Sequence, residues 1–353
     1  MKVRNSSHEL LRLIAMYMII FIHANMYLSN FYTGGHWNLF NGIVNGICNT
    51  GVTCFVLISG YYGIKFNFKK LVRLECMMIS YSLLETGVLY LMFPDQMQGT
   101  QLLEQLIKSV FPFISRKYWF YSCYLCLFLL SGFLDKIIEK LSQTDFKRLI
   151  FLCVFLFSVL PTFFYFEIVP DNGKGLVQML MVYLIGRYLK LYHPKTERPV
   201  PAKKLFLSVL ILWGINGISH EHPIQLGGIY HHLCKDNSIT NLAIAILLFL
   251  LFRELSFHSR MLNKASSYIF AAFALNNSFV TAIMTLLINN GLQGTQSAVG
   301  FLLLAGMVMG ILIFCIIIGM LREALLGRCD KVLGEKLSAI GKKIFCKYGE
   351  VFQ

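Results

Sequence analysis

The sequence predicts an all-α polytopic membrane protein of about ten transmembrane helices, with both termini cytoplasmic. Three observations carry that prediction. Of 353 residues, 56% are apolar and only 14% charged. An ordinary soluble domain carries about 25% charged residues, so a pair of soluble domains or a mainly disordered chain is excluded. Ten stretches approach the ~20 apolar residues that a bilayer-spanning helix needs. The Lys and Arg residues between them alternate between abundant and scarce, as the positive-inside bias requires.

The stretches run over roughly 10–28, 42–64, 71–93, 118–138, 149–168, 175–193, 204–220, 239–252, 266–289 and 298–321, each near the length set by bilayer thickness. The seventh and eighth are short or polar at one edge. The first follows Lys2, Arg4 and Arg12, as a signal peptide would, but no small-residue cleavage site follows and His23 interrupts the apolar run. It reads as a retained span. With both termini inside, the inner segments hold 27 of the 32 Lys and Arg residues and the outer loops 5 (Lys108, Arg116, Lys117, Lys174 and Lys235). A misplaced helix would scramble that alternation. The net charge of +14 would suggest nucleic acid in a soluble protein, but here it reports topology. Residues 1–325 form the transmembrane domain, and 326–353 form a short, basic cytoplasmic tail at the inner surface. No lipidation motif, internal repeat or low-complexity segment is found. Most cysteines fall within spans, where a thiol packs as a small apolar group. Cys123 and Cys126 form a CxxC inside the fourth span and read as packing.

Ionisable groups at membrane depth are costly and therefore informative. Arg12 and His23 stand eleven residues apart, about three helical turns, so they share one face with ~16 Å between them. A neutral imidazole at His23 can accept a proton or attack a carbonyl. The plainer alternative is a histidine bonded to a neighbouring helix, with Arg12 obeying the positive-inside bias. The second span ends at Ser59, Gly60, Tyr61 and Tyr62, and Lys65, Lys69, Lys70 and Arg73 follow. Gly60 permits close helix approach. The basic cluster suits phosphates of a nucleotide-bearing donor, lipid headgroups, or no specific ligand. Glu85 sits mid-span and needs a partner, for which His23 or an arginine is expected. Asn276 and Asn277 lie deep in the ninth span and suit interhelical hydrogen bonds. Tyr118, Trp119, Phe120 and Tyr121 open the fourth span as an aromatic belt, although such rings also stack on sugars. The outer loop from His220 to Asp236 holds His220, Glu221, His222, His231, His232 and Cys234. Its spacings match no closed zinc pattern, so it reads as a solvated loop and no metal is assigned.

These residues together resemble acyltransferase family 3 of membrane proteins. The Arg12–His23 pair resembles that family's R-x10-H signature. The run Gly51-Val52-Thr53-Cys54-Phe55-Val56-Leu57-Ile58-Ser59-Gly60-Tyr61 is similar to its second-span block. Residues 118–130 resemble its WF-x-x-x-Y block, and Val182-Tyr183-Leu184-Ile185-Gly186-Arg187-Tyr188-Leu189 its sixth-span block. Order and spacing agree over roughly 5–325. The resemblance implies ten spans with both ends inside, and transfer of an acyl group, usually acetyl, from cytosolic acyl-CoA to a hydroxyl of an envelope glycan or its lipid-linked precursor. It implies donor binding by Arg12, Lys69, Lys70 and Arg73. Catalysis falls to His23, either as the base or as a transient acyl carrier. Ser59 is a candidate oxyanion donor, and Glu85, Tyr118, Trp119, Asn276 and Asn277 are candidates for acceptor contact or support. Acyl-CoA would be a co-substrate with no bound cofactor, the location a cell (plasma or inner) membrane, and nucleic acid no partner. The chain resembles the stand-alone type, without the extra hydrolase-like domain of some members. It departs from the family where a ninth-span histidine is expected, a position that aligns with Leu275; this bears on the acceptor and on activity. The competing expectations are a polysaccharide exporter or flippase, and a catalytically altered relative.

Overall fold

The computed structural model describes residues 5–29, 37–193, 200–226, 229–289 and 298–348. Its helices are α1 (Ser6–Ser29), α2 (Trp37–Cys48), α3 (Thr50–Tyr62), α4 (Phe68–Met92), α5 (Gly99–Val110), α6 (Trp119–Lys140) and α7 (Gln143–Val154). A π-helical turn, Phe155–Val159, leads into α8 (Leu160–Phe163), followed by α9 (Leu176–Tyr192) and α10 (Ala202–Glu221). A short antiparallel hairpin, β1 (Ile224–Leu226) and β2 (Ile229–His231), precedes α11 (Ile239–Glu254), α12 (Arg260–Ser266), α13 (Ile269–Asn289) and α14 (Ala298–Tyr348). The all-α expectation holds. Each of the ten expected stretches falls on one helix or on a run of consecutive ones. Among the described residues, eight segments are long and apolar enough to cross a membrane. The two shorter stretches are α9 and α11. Of the charges used to orient the chain, Lys2, Arg4, Lys195 and Arg198 lie outside the described residues.

Helix α1 packs against α2, α3, α11, α12, α13 and α14, and it carries the most deeply buried apolar stripe, including Leu11, Ala15, Met16 and Ile20. Close approach around it rests on small residues, the usual device where lipid supplies no hydrophobic drive between helices. A methyl added at Gly51 would lie 2.7 Å from the Ala15 carbonyl, and one at Gly186 would lie 2.5 Å from the Leu57 carbonyl. At Gly60 the added methyl would collide with the Tyr183 carbonyl. Thus α3 and α9 touch backbone to backbone.

Between α2 and α3 the helix breaks at Asn49, and the surrounding groups satisfy the backbone freed there, as lipid cannot. Thr50 Oγ1 donates to the Ile47 carbonyl (2.6 Å), Trp213 Nε1 to Ile43 (2.7 Å) and Asn216 Nδ2 to Gly46 (3.2 Å). Asn49 Nδ2 reaches the Cys234 carbonyl (2.8 Å), which ties the His220–Asp236 loop to the break. The start of α4 is capped by Asn67, whose Oδ1 accepts from the amides of Lys69 (3.0 Å) and Lys70 (3.3 Å), a contact worth about 1 kcal/mol.

The outward faces are apolar, with Phe151, Ile218 and Leu302 all exposed, which suits a lipid solvent. Helix α5 turns Leu103, Leu106, Ile107 and Val110 outward while Ser109 points inward and is buried. Helix α14 passes residues 325 and 326 without a break, so the expected tail continues the last span as helix. It leans on the start of α4 through Arg73–Glu323 (2.7 Å) and Lys69–Glu335 (3.8 Å). Arg322 pairs with Asp330 and donates to Ser80 Oγ (2.9 Å).

A backbone contact at Gly60 has a direct consequence for stability. Gly60→Ala is expected to cost about 1–3 kcal/mol through overpacking. Gly132→Ala, where an added methyl meets nothing within 4 Å, is expected to be neutral or to gain up to about 1 kcal/mol of helix propensity. Thermal melts of the two variants in detergent would separate them; equal melting temperatures would contradict the close α3–α9 crossing.

Candidate functional site

Helices α1, α3, α4, α6, α13 and α14 surround a cavity of about 1080 Å³. Pockets for a single drug-sized ligand span ~300–1,000 Å³, so this one lies at the large end of that range. One end carries Arg12, Lys65, Lys70 and Arg73, and the interior carries His23, Asn276 and Asn277. Glu85, Lys117, Tyr118 and Trp119 line it as well.

The order of these groups follows from contacts. At the first end Arg12 Nη1 donates to Glu9 Oε1 (2.9 Å), and Ser266 Oγ donates to Glu9 Oε2 (2.5 Å). Ser266 lies just before α13, whose start meets Gly319 of α14, and Glu323 one turn further along α14 holds Arg73. The two arginines therefore face the cavity at one level. Glu9, which is buried, fixes Arg12 from the preceding turn, an i,i+3 pair. Beside it His8 Nδ1 shares a hydrogen bond with the Tyr62 hydroxyl (2.6 Å), and its ring stacks on Phe249 at 4.8 Å.

Three turns deeper, His23 Nδ1 meets Asn276 Oδ1 at 2.6 Å. Asn276 Nδ2 donates to the Phe273 carbonyl (2.7 Å), so Oδ1 is the end that accepts. His23 Nδ1 therefore carries the proton, which leaves the Nε2 lone pair free. Among the described residues nothing bonds Nε2, and the ring lines the cavity. Asn277, the next residue, is exposed in the same cavity, and no group among the described residues occupies its amide. Ser59 also lines it, but its hydroxyl donates to the Phe55 carbonyl (2.9 Å).

Glu85 does not pair with His23 or an arginine, as the sequence suggested. Its partner is Lys117 (Nζ to Oε2, 3.1 Å), and the Tyr118 hydroxyl donates to the same oxygen. Lys117 is preorganised by Ser109 Oγ (2.9 Å) and Thr86 Oγ1 (3.1 Å). Burial pulls its ammonium below the ordinary lysine value, with Glu85 opposing. The reason sequence missed the pair is distance: the partners lie 32 residues apart, and Lys117 read as one more outer-loop charge. The aromatic run continues this wall: the rings of Tyr118 and Phe120 lie 6.2 and 5.2 Å from Phe273.

Not all expected residues join the cavity. Lys69 turns away to Glu335, both being largely exposed. The loop histidines do not converge: His220 and His232 meet edge-on at 5.2 Å. Burial drives His232 down to about 4 and the Cys234 thiol up to about 12, while Asp236 is pushed up to about 6. Among the described residues no group of three such side chains is placed to hold a metal ion. Cys123 and Cys126 are free thiols.

The profile of a family described as an acyltransferase domain matches residues 5–320. Neither a curated protein nor a solved structure matches the chain.

The free lone pair of His23 is open to a chemical test. Diethyl pyrocarbonate acylates an unprotonated, accessible imidazole nitrogen. Peptide mapping after brief treatment at pH 7.5 is expected to find His23 modified and His8, 1% exposed, protected. Protection of His23 to the same degree as His8 would refute the open Nε2.

Proposed function

The chain belongs to the acyltransferase domain family, and on that premise we propose that this membrane acyltransferase moves an acetyl group from cytosolic acyl-CoA to a hydroxyl of an envelope glycan or its lipid-linked precursor. The location proposed is the cell membrane, with the Arg12 end facing the cytosol, where the positive-inside bias puts it. The observation that carries the reading is His23, whose unprotonated Nε2 opens into a cavity with cations at one end and an aromatic, carboxylate-bearing wall further in.

Arg12, Lys70 and Arg73 offer donors and positive charge for the phosphates of the nucleotide part. Lys69, paired outside the cavity lining, contributes only to the field there. The flexible arm of the donor then runs down the cavity and brings its thioester to His23, ~16 Å from Arg12 along α1. The acceptor hydroxyl gives its proton to Nε2 as its oxygen bonds to the thioester carbonyl carbon. The resulting oxyanion faces the open amide of Asn277, a better-placed donor than Ser59, whose hydrogen is already committed to the Phe55 carbonyl. Collapse breaks the carbon–sulfur bond, and the departing thiolate takes the proton back from the His23 imidazolium. Asn276 acts through His23: as positive charge develops on the ring, Oδ1 holds Nδ1–H and keeps the ring oriented. The site lies inside the helical bundle, so each of these dipoles acts at low dielectric.

The reading predicts separable effects. His23→Ala is expected to lower acetylation of the surface glycan by about 10²–10⁴-fold, the usual contribution of a positioned general base. Arg12→Gln is expected to raise KM for acetyl-CoA about tenfold or more with a smaller change in kcat, since a lost charge-assisted contact is worth ~1.5–3 kcal/mol. Acetyl content of the purified glycan and initial rates in reconstituted vesicles would report these. An inserted, folded His23→Ala protein with normal acetylation would overturn the enzyme reading and favour a glycan exporter.

A further inference from the structure

We infer that Glu85, held by Lys117 and Tyr118 in a cavity also lined by Trp119, Phe120 and Phe273, is the acceptor subsite of this cavity, and that it takes an uncharged, polyhydroxylated ring such as a neutral sugar. The inference rests on the acyltransferase reading above and goes further, naming the acceptor's chemical class and the atom that orients it.

The cluster is more elaborate than packing needs. Burying an ion pair in a bundle costs more than filling the same space with apolar side chains. Yet Glu85 is buried and the Lys117 side chain only 11% exposed here, the pair being anchored from α4 and α5 and from the residues leading into α6. Lys117 is saturated: its three hydrogens are matched by Glu85 Oε2, Thr86 Oγ1 and Ser109 Oγ, with the Ser82 carbonyl at 3.4 Å as a further contact. Glu85 is not. Lys117 and Tyr118 both address Oε2, and among the described residues nothing donates to Oε1. Glu85 is 6% exposed and lines the cavity. A carboxylate oxygen that opens on the cavity with no donor among the described residues is free to accept an O–H from what enters it.

Two features select the class of ligand. Lys117 has no N–H left to attract an anion, and an open carboxylate repels one; a uronate or phosphorylated ring would meet like charge at low dielectric. Rings that line the same cavity add apolar surface: Trp119 lies edge-on to Phe120 at 5.9 Å, Phe120 stacks on Tyr124 at 5.9 Å and lies 5.2 Å from Phe273. Such rings suit the C–H face of a sugar while its hydroxyls reach a carboxylate. Position completes the case. Phe273 is three residues before Asn276 on α13, one turn away on the same face, and the Phe273 carbonyl itself accepts from the asparagine that holds His23. A hydroxyl anchored at Glu85 Oε1 keeps the rest of the ring in the cavity that His23 lines.

The test uses the full-length protein in nanodiscs, with methyl glucoside and methyl glucuronoside as probes that differ only in a hydroxymethyl against a carboxylate. Acetyl-CoA turnover is followed against each glycoside, and glycoside binding is read separately by saturation-transfer NMR. The glucoside is expected to bind at least about tenfold more tightly than the glucuronoside. Glu85→Gln is expected to raise the glucoside Kd and KM about tenfold or more and to narrow the gap between the probes, as loss of a charged hydrogen bond predicts. Trp119→Leu, which leaves the ion pair in place, is expected to weaken both probes alike. Acetyl-CoA affinity reports whether each variant is folded. Equal binding of the two probes, no binding of either, or a Glu85→Gln protein that binds the glucoside as wild type does would overturn the subsite. Absence of turnover with Glu85-dependent glucoside binding intact would instead overturn the transferase reading and leave the subsite standing.

Discussion

A charge taken out of water must be met by a partner within the protein, and the interior of this bundle is arranged around that requirement. Glu9 holds Arg12, Glu85 holds Lys117, Asp135 holds Arg187 and Asp330 holds Arg322. Apolar substitutes would stabilise the fold as well or better, so stability alone does not account for the pairs. They divide into two kinds. Arg12 and Lys117 face the cavity, where their partners set the direction and the availability of their N–H groups. Arg187 and Arg322 do not line it. Arg187 lies against Gly63, where the chain leaves α3 with φ +74°, a conformation glycine adopts at little cost. Arg322 fixes α14 against α4 through Ser80.

Packing explains why the cavity lies where it does. Helices α1, α3 and α9 approach through Gly51, Gly60 and Gly186 until backbone meets backbone. Such contact leaves no room for a ligand. On the other side of α1 the lining of α4, α6 and α13 is made of bulky rings, Tyr81, Tyr118, Phe120, Tyr124, Phe270 and Phe273. Large side chains keep helix axes apart, and long or ring-shaped groups leave gaps that small ones would close. The tight half of the bundle thus supports the cavity-lining face of α1, and the other half supplies volume. His23 sits at the junction, on α1 and bonded to Asn276 of α13.

What could be read from sequence follows the range of each interaction. Spans depend on local apolar runs, and every expected stretch falls on helix. The Arg12–His23 face depends on helical period alone, and both residues do line one cavity. Glu9, three residues before Arg12, carried a readable signal as an i,i+3 pair. Lys117 carried none: a lysine beside an aromatic belt looks the same whether it faces water or turns in to Glu85. The break at Asn49 was equally silent, because the groups that satisfy it, Trp213, Asn216 and the Cys234 carbonyl, come from 160 or more residues away. Asn276 was legible as an interhelical donor or acceptor, but its partner and the tautomer it imposes required three dimensions.

Leu275 shows how one helical step decides what a substitution means. Adjacent residues on a helix point about 100° apart, so a side chain's neighbour can belong to a different face. Leu275 is fully buried and lies in the apolar core, whereas Asn276 and Asn277 line the cavity. A histidine at 275 in this backbone would therefore enter the core, where an imidazole needs a partner for its N–H. The position at which the resemblance leads to the expectation of a histidine thus falls on the packed face of α13. The polar groups of that turn are Asn276, which is hydrogen-bonded to His23, and Asn277 beside it. The absence of a histidine at 275 removes no group from the cavity wall, so it does not by itself argue for an altered or inactive site.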